Sequence, residues 1–125
     1  MPELRIFKVA LAGLAGAGMA SAASSAPLPK PAAFAVCSVC HKVGQTDRST
    51  LGPVLWGVGG RKAGTVPGFT YSPAMKASKI TWNRATLTAF INDPRKVVPG
   101  TRMAYAGQKD PKAEAALVDY LLSLK

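Results

Sequence analysis

Residues 37–41 read Cys37-Ser38-Val39-Cys40-His41, and they hold both cysteines and the single histidine of a 125-residue chain. Two thiols three positions apart, followed at once by an imidazole, form the attachment signature of c-type haem. The thiols add to the two vinyl groups, and the histidine is placed to bind iron through a ring nitrogen. Other uses of these residues fit worse. A structural zinc ion takes four Cys or His ligands, and the chain has three in total. A thioredoxin-like redox pair belongs between a strand and a helix, and no alternating strand pattern is present. A plain disulfide is chemically easy in an oxidising compartment, but it explains neither the histidine nor the sequence that follows.

Working outward, Ala32 to Cys40 is expected as a short helix, with Pro31 tolerable at its start and Ala33, Phe34, Val36 and Val39 available for burial. Residues 42–72 then contain seven glycines and two prolines and keep no apolar period of 3.6 or 2. A loop of that length argues against a compact domain unless something else supplies the core, as a large apolar cofactor does. Three helices are readable downstream. Asn83 or Thr81 can cap Arg84–Asn92, whose Leu87, Phe90 and Ile91 share one face. Asp93-Pro94 starts a short turn of helix to about Val98, ended by Pro99-Gly100. Asp110 caps a last helix with Pro111 at its first position and an apolar stripe of Ala116, Leu117, Tyr120, Leu121 and Leu124.

Haem iron has a second axial position, which Met103, Met75 or a lysine can fill. Met103 follows the Pro99-Gly100 turn and lies next but one to Thr101, a donor available to a propionate; Met75 sits in a polar helical segment. A thioether favours ferrous iron and closes the site to oxygen and peroxide, which argues for electron transfer over catalysis. A peroxidase-like or gas-binding haem protein needs that position open, and a thiol oxidoreductase needs no haem at all.

Residues 32–125 closely resemble class I cytochrome c, the mitochondrial-type proteins and their bacterial periplasmic relatives. Beside the haem-attachment pentapeptide, the resemblance rests on Gly52-Pro53, Gly60-Arg61-Lys62-Ala63-Gly64, Pro67-Gly68-Phe69-Thr70-Tyr71, Ile80-Thr81-Trp82, Pro99-Gly100-Thr101-Arg102-Met103 and Ala106-Gly107. It implies an all-α fold of three to five helices, with long loops wrapped around one haem c attached through Cys37 and Cys40. It implies His41 and Met103 as the axial pair, with Pro53 accepting the other ring N–H of His41. Arg61, Tyr71 and Trp82 would bond the inner propionate, Phe34 and Tyr120 would meet where the first and last helices cross, and Tyr105 would lie beside the haem edge. The chain departs from the family at Phe90, commonly a Tyr bonded to the axial sulfur, and at Met75, commonly an Asn. Val36, Thr50 and Asp110 occupy places of front-face lysines, while Arg95, Lys96, Arg102 and Lys109 remain basic.

The N-terminus reads as an export signal over residues 1–22: Arg5 and Lys8 precede the apolar stretch Val9–Ala23, and Ala20-Ser21-Ala22 suits a signal peptidase. The stretch falls short of the roughly 20 apolar residues that span a bilayer, although an uncleaved signal would leave the protein anchored. Residues 23–31, with Pro27, Pro29 and Pro31, form a linker, and the folded domain is expected over 32–125. With 16 basic against 6 acidic residues, the net charge of +10 suits acidic partners. The basic residues are scattered and no nucleic-acid module is present, so no nucleic-acid partner is expected. The expectation is a monomeric periplasmic electron carrier of a respiratory chain. It would dock transiently on acidic surfaces of reductase and oxidase complexes, and it would not be an enzyme.

Overall fold

The computed structural model describes residues 10–18 and 25–125. The expected cleavage site at Ala22 lies outside the described residues. Residues 10–18 are exposed and without regular structure, and among the described residues no helix is long and apolar enough to cross a membrane.

Among the described residues, four α-helices follow two 3-10 turns: α1 Pro73–Ala77, α2 Arg84–Asn92, α3 Pro94–Val97 and α4 Pro111–Leu122. Each begins on a side-chain cap. Ser72 accepts from the Met75 N–H, Asp93 from Lys96, and Asp110 from Lys112 and Ala113. Asn83 and Thr86 bond each other's backbone N–H reciprocally at the start of α2. The described residues contain no strand; Lys62 and Thr81 form one isolated antiparallel bridge.

The first expected helix is instead a pair of 3-10 turns, Ala32–Ala35 and Cys37–Val39. No side chain caps it at Pro31, and β-branched Val36 and Val39 disfavour a longer α-helix. The tighter winding places residues three apart on one side. Phe34, Cys37 and Cys40 therefore all face inward, while Val36 and Val39 are exposed rather than buried.

The helices hold together through their apolar faces. Leu87, Phe90 and Ile91 of α2 are buried, as are Leu117, Val118, Tyr120 and Leu121 of α4. Ala116 is exposed and Val118 takes its place in the core, a rotation of the expected stripe. The Phe34 and Tyr120 rings meet edge to face at 5.0 Å, and Trp82 packs on Phe90 at 5.0 Å. Each such pair adds about 0.5–1.5 kcal/mol beyond its buried area. Between residues 40 and 72 there is no helix. That stretch is fixed by single backbone bonds, among them Leu55 N–H to Lys42 O at 2.9 Å and Gly57 N–H to Leu124 O at 2.6 Å.

Candidate functional site

The long loops and the inner faces of α2 and α4 enclose one cavity of about 670 Å³. Its walls bring together residues far apart in sequence: Cys37, Cys40, His41, Pro53, Arg61, Tyr71, Trp82, Thr101 and Met103 all line it. These are the nine positions singled out from sequence.

The cysteine wall is the most tightly built. Cys40 and His41 both donate their N–H to Cys37 O, at 3.1 and 2.9 Å, so the three functional side chains issue from one closed turn. Cys40 O in turn accepts from Thr50 Oγ1 and from the Gly52 N–H, both at 2.9 Å. This clamp draws residues 50–53 against the imidazole. His41 Nδ1 then lies 2.7 Å from Pro53 O, which makes Nδ1 the protonated nitrogen and leaves Nε2 with its lone pair. Gly52 has no substitute here, because a Cβ would stand 2.6 Å from His41 Cε1. Burial pushes the His41 pKa below its ordinary value; the Pro53 bond works against this and nearby Arg61 adds to it. The ring is thus kept neutral, the form that binds a metal.

Arg61 is directed at the loop that carries Pro53. Its guanidinium donates to Val54 O at 2.9 Å and to Trp56 O at 3.1 Å, which uses two of five donors. Tyr71 accepts from the Val66 N–H at 3.0 Å, leaving its own O–H proton to donate. Thr101 Oγ1, also on the cavity wall, accepts from the Met103 N–H at 3.3 Å, which ties the thioether-bearing residue to its own turn. Tyr105 lines the cavity, and its pKa is raised by burial and then by nearby Cys37. Met75 lines it too, from α1. The bond of Thr50 to Cys40 and the ring contact of Gly52 are not legible in the sequence; both depend on backbone geometry in a loop with no periodicity to reveal it.

The residues present fit a haem. The volume lies within the ~300–1,000 Å³ of ligand and cofactor sites, and the walls are mostly apolar with a few convergent polar groups. Both thiols are free, and they reach the same space as an imidazole with one available nitrogen and a thioether. No carboxylate lines the cavity. Among the described residues no three His, Cys, Asp or Glu side chains are grouped to hold a bare metal ion.

No protein-family model matches the chain. Individual proteins do. Over 119 residues, 94% of this chain and 95% of the relative, it is 42% identical to cytochrome c2 of Rhodomicrobium vannielii. It is 46% identical to cytochrome c2 iso-2 of Magnetospirillum fulvum over 94 residues, 75% of this chain and 97% of that one. Among solved structures, cytochrome cH from Methylobacterium extorquens superposes with a TM-score of 0.67 at 42% identity, covering 71% of this chain and 89% of that one.

Proposed function

The chain belongs to the class I cytochromes c, monohaem electron carriers with one covalently attached haem c, and we propose that it is a periplasmic one-electron shuttle whose iron is held by His41 and Met103. The observation that carries the ligation is the bond between His41 Nδ1 and Pro53 O at 2.7 Å, which leaves Nε2 as the nitrogen for the cavity that Met103 also lines.

When bound, the haem supplies a reversible one-electron couple. The rest is done by the chain. Cys37 and Cys40 fix the group covalently, and Pro53 sets the His41 tautomer and ring orientation. Met103 presents a soft sulfur that favours the reduced iron and raises the potential. With His41 and Met103 both holding the iron, exogenous ligands would find no open site. Arg61, Tyr71, Trp82 and Thr101 are assigned to the propionates: Arg61 has three donors left after the loop carbonyls, and Tyr71 has its O–H proton. Met75 and Phe90 place a thioether and a phenyl ring on the cavity wall where neither adds a hydrogen bond.

Location and partners follow from the sequence features. The Val9–Ala23 stretch behind Arg5 and Lys8 supports export, and the excess of basic residues supports docking on acidic faces of membrane redox complexes. Electrostatic steering of this kind weakens with salt over a screening length of roughly 8–10 Å. The test is a redox titration joined to ligand binding on the purified holoprotein. The shuttle predicts a reversible one-electron transition and slow, weak binding of cyanide and carbon monoxide. Fast binding of either would make it a ligand-binding or catalytic haem protein instead.

A further inference from the structure

The segment that carries Met103 is bonded to the rest of the fold at its ends. The Thr101 N–H donates to Val98 O at 3.0 Å on one side, and the Gln108 N–H donates to Ile91 O at 2.9 Å on the other. Between them, the one hydrogen bond made by residues 102–107 among the described residues runs from the Met103 N–H to Thr101 Oγ1, inside the same turn. A stretch with so few bonds of its own stays closed only as firmly as its ends are fixed.

The far end is fixed by a knot of side chains around Asn92, the last residue of α2. Asn92 Nδ2 donates to Glu114 Oε2, in the first turn of α4, at 2.9 Å and to Gln108 O at 3.3 Å. The Lys109 ammonium donates to Asn92 O and, at 3.3 Å, to Asn92 Oδ1. Asn92, Gln108 and Glu114 are half-buried, and Lys109 covers them from the exposed side. None of the four lines the cavity.

This knot calls for an amide at its centre. Asn92 stands between a carboxylate, to which it must donate, and an ammonium, from which it must accept, and an amide does both without charge. A carboxylate in its place would meet Glu114 with like charge. Lys109 adds a cation at the C-terminus of α2, where a helix leaves carbonyls without partners.

We propose that Asn92 is a positioning residue for Met103: by bridging Glu114 and Lys109 it locks the end of the Met103 segment onto α2 and sets how often the thioether leaves the iron. The proposal rests on Met103 being the axial ligand and deepens that reading, because it places the control of the sixth position outside the haem cavity.

The experiment compares ferric holoproteins by the rate of cyanide binding in stopped flow and by exchange of the Gln108 amide hydrogen in NMR. Asn92→Asp should speed Gln108 exchange and raise the cyanide rate roughly tenfold, about 1.4 kcal/mol of lost closure by the usual conversion. Asn92→Asp/Glu114→Gln should return both toward wild type, because the amide then donates from α4 to a carboxylate that still accepts from Lys109. A side chain that only fills space gives no such rescue. Val118→Ala, in the helical core and off the cavity wall, should lower the denaturant midpoint yet bind cyanide at the wild-type rate. Lys109→Ala, at an exposed position, should bind cyanide faster than wild type and keeps the test open should Asn92→Asp not take up haem. Wild-type cyanide rates in Asn92→Asp or Lys109→Ala, or a double variant as fast as Asn92→Asp, overturn the proposal. A wild type that binds cyanide as fast as Met103→Ala sinks the ligation reading itself, an outcome read without any of the Asn92 variants.

Discussion

The helical side of this molecule and its loop side are built on different principles. On the helical side, α2, α4 and the Phe34 turn bury side chains against one another: Leu117 is 1% exposed and Val118 fully covered. On the loop side, residues 40–72 and 98–110 are held by isolated backbone bonds and by turns at positive-φ glycines such as Gly57, Gly60, Gly64 and Gly107. Many of their larger side chains, Leu55, Phe69, Tyr71, Met103 and Tyr105 among them, line the cavity, and Phe69 and Tyr71 also meet edge to face at 4.8 Å. The helical side has a core of its own beyond the faces that wall the cavity. The loop side packs mainly around the cavity, which His41 and Met103, the proposed ligands, both line. On the proposed reading, the haem would serve as the core of the loops that hold its ligands.

The largest way to break this comparison is to prevent attachment. In Cys37→Ala/Cys40→Ala, hydrogen exchange should show loss of protection over 42–72 and 98–110, with residual protection confined to α2 and α4. The protein should also lose most of a folding stability of about 5–15 kcal/mol. Retained loop protection would mean that the loops have a core of their own. Leu117→Ala should cost about 2–5 kcal/mol in denaturant unfolding, because it opens the wall shared by α4 and the cavity.

A finer probe is Gly107, where φ is +111° and an added Cβ would overlap Asn92 O at the end of α2. Gly107→Ala should lose at least about 1–3 kcal/mol and weaken the thioether band of the oxidised protein, since this turn joins the Met103 segment to the helical side. An unchanged band would show that the two sides are mechanically independent. The smallest effect is expected at Arg84–Asp119, an ion pair of 2.7 Å with side chains 63% and 49% exposed. Arg84→Ala should cost no more than a few tenths of a kcal/mol, and less in salt.

The same division explains what was legible in the sequence. Helices with caps and a 3.6 period could be read nearly to the residue: Asn83 and Asp110 cap where expected, and Leu87, Phe90 and Ile91 share the buried face. The first segment was misjudged because its inward residues recur every three positions, a period too close to 3.6 to separate over nine residues. Val118 was missed for Ala116 because four neighbouring apolar residues fix a stripe only to within one position. In the loops, the motif residues marked which side chains gather, but not how. The clamp of Thr50 and Gly52 on Cys40, the hold of Arg61 on Val54 and Trp56, and the exposure of Val36, Val39 and Leu51 depend on three-dimensional backbone course.

The red absorption of the oxidised holoprotein tests the assigned ligand pair most directly, compared among wild type, Met103→Ala and Met75→Ala. A weak thioether-to-iron band should be present in wild type and Met75→Ala and absent in Met103→Ala. A band that persists without Met103 and disappears without Met75, or one that wild type lacks, would contradict the assignment of Met103 opposite His41.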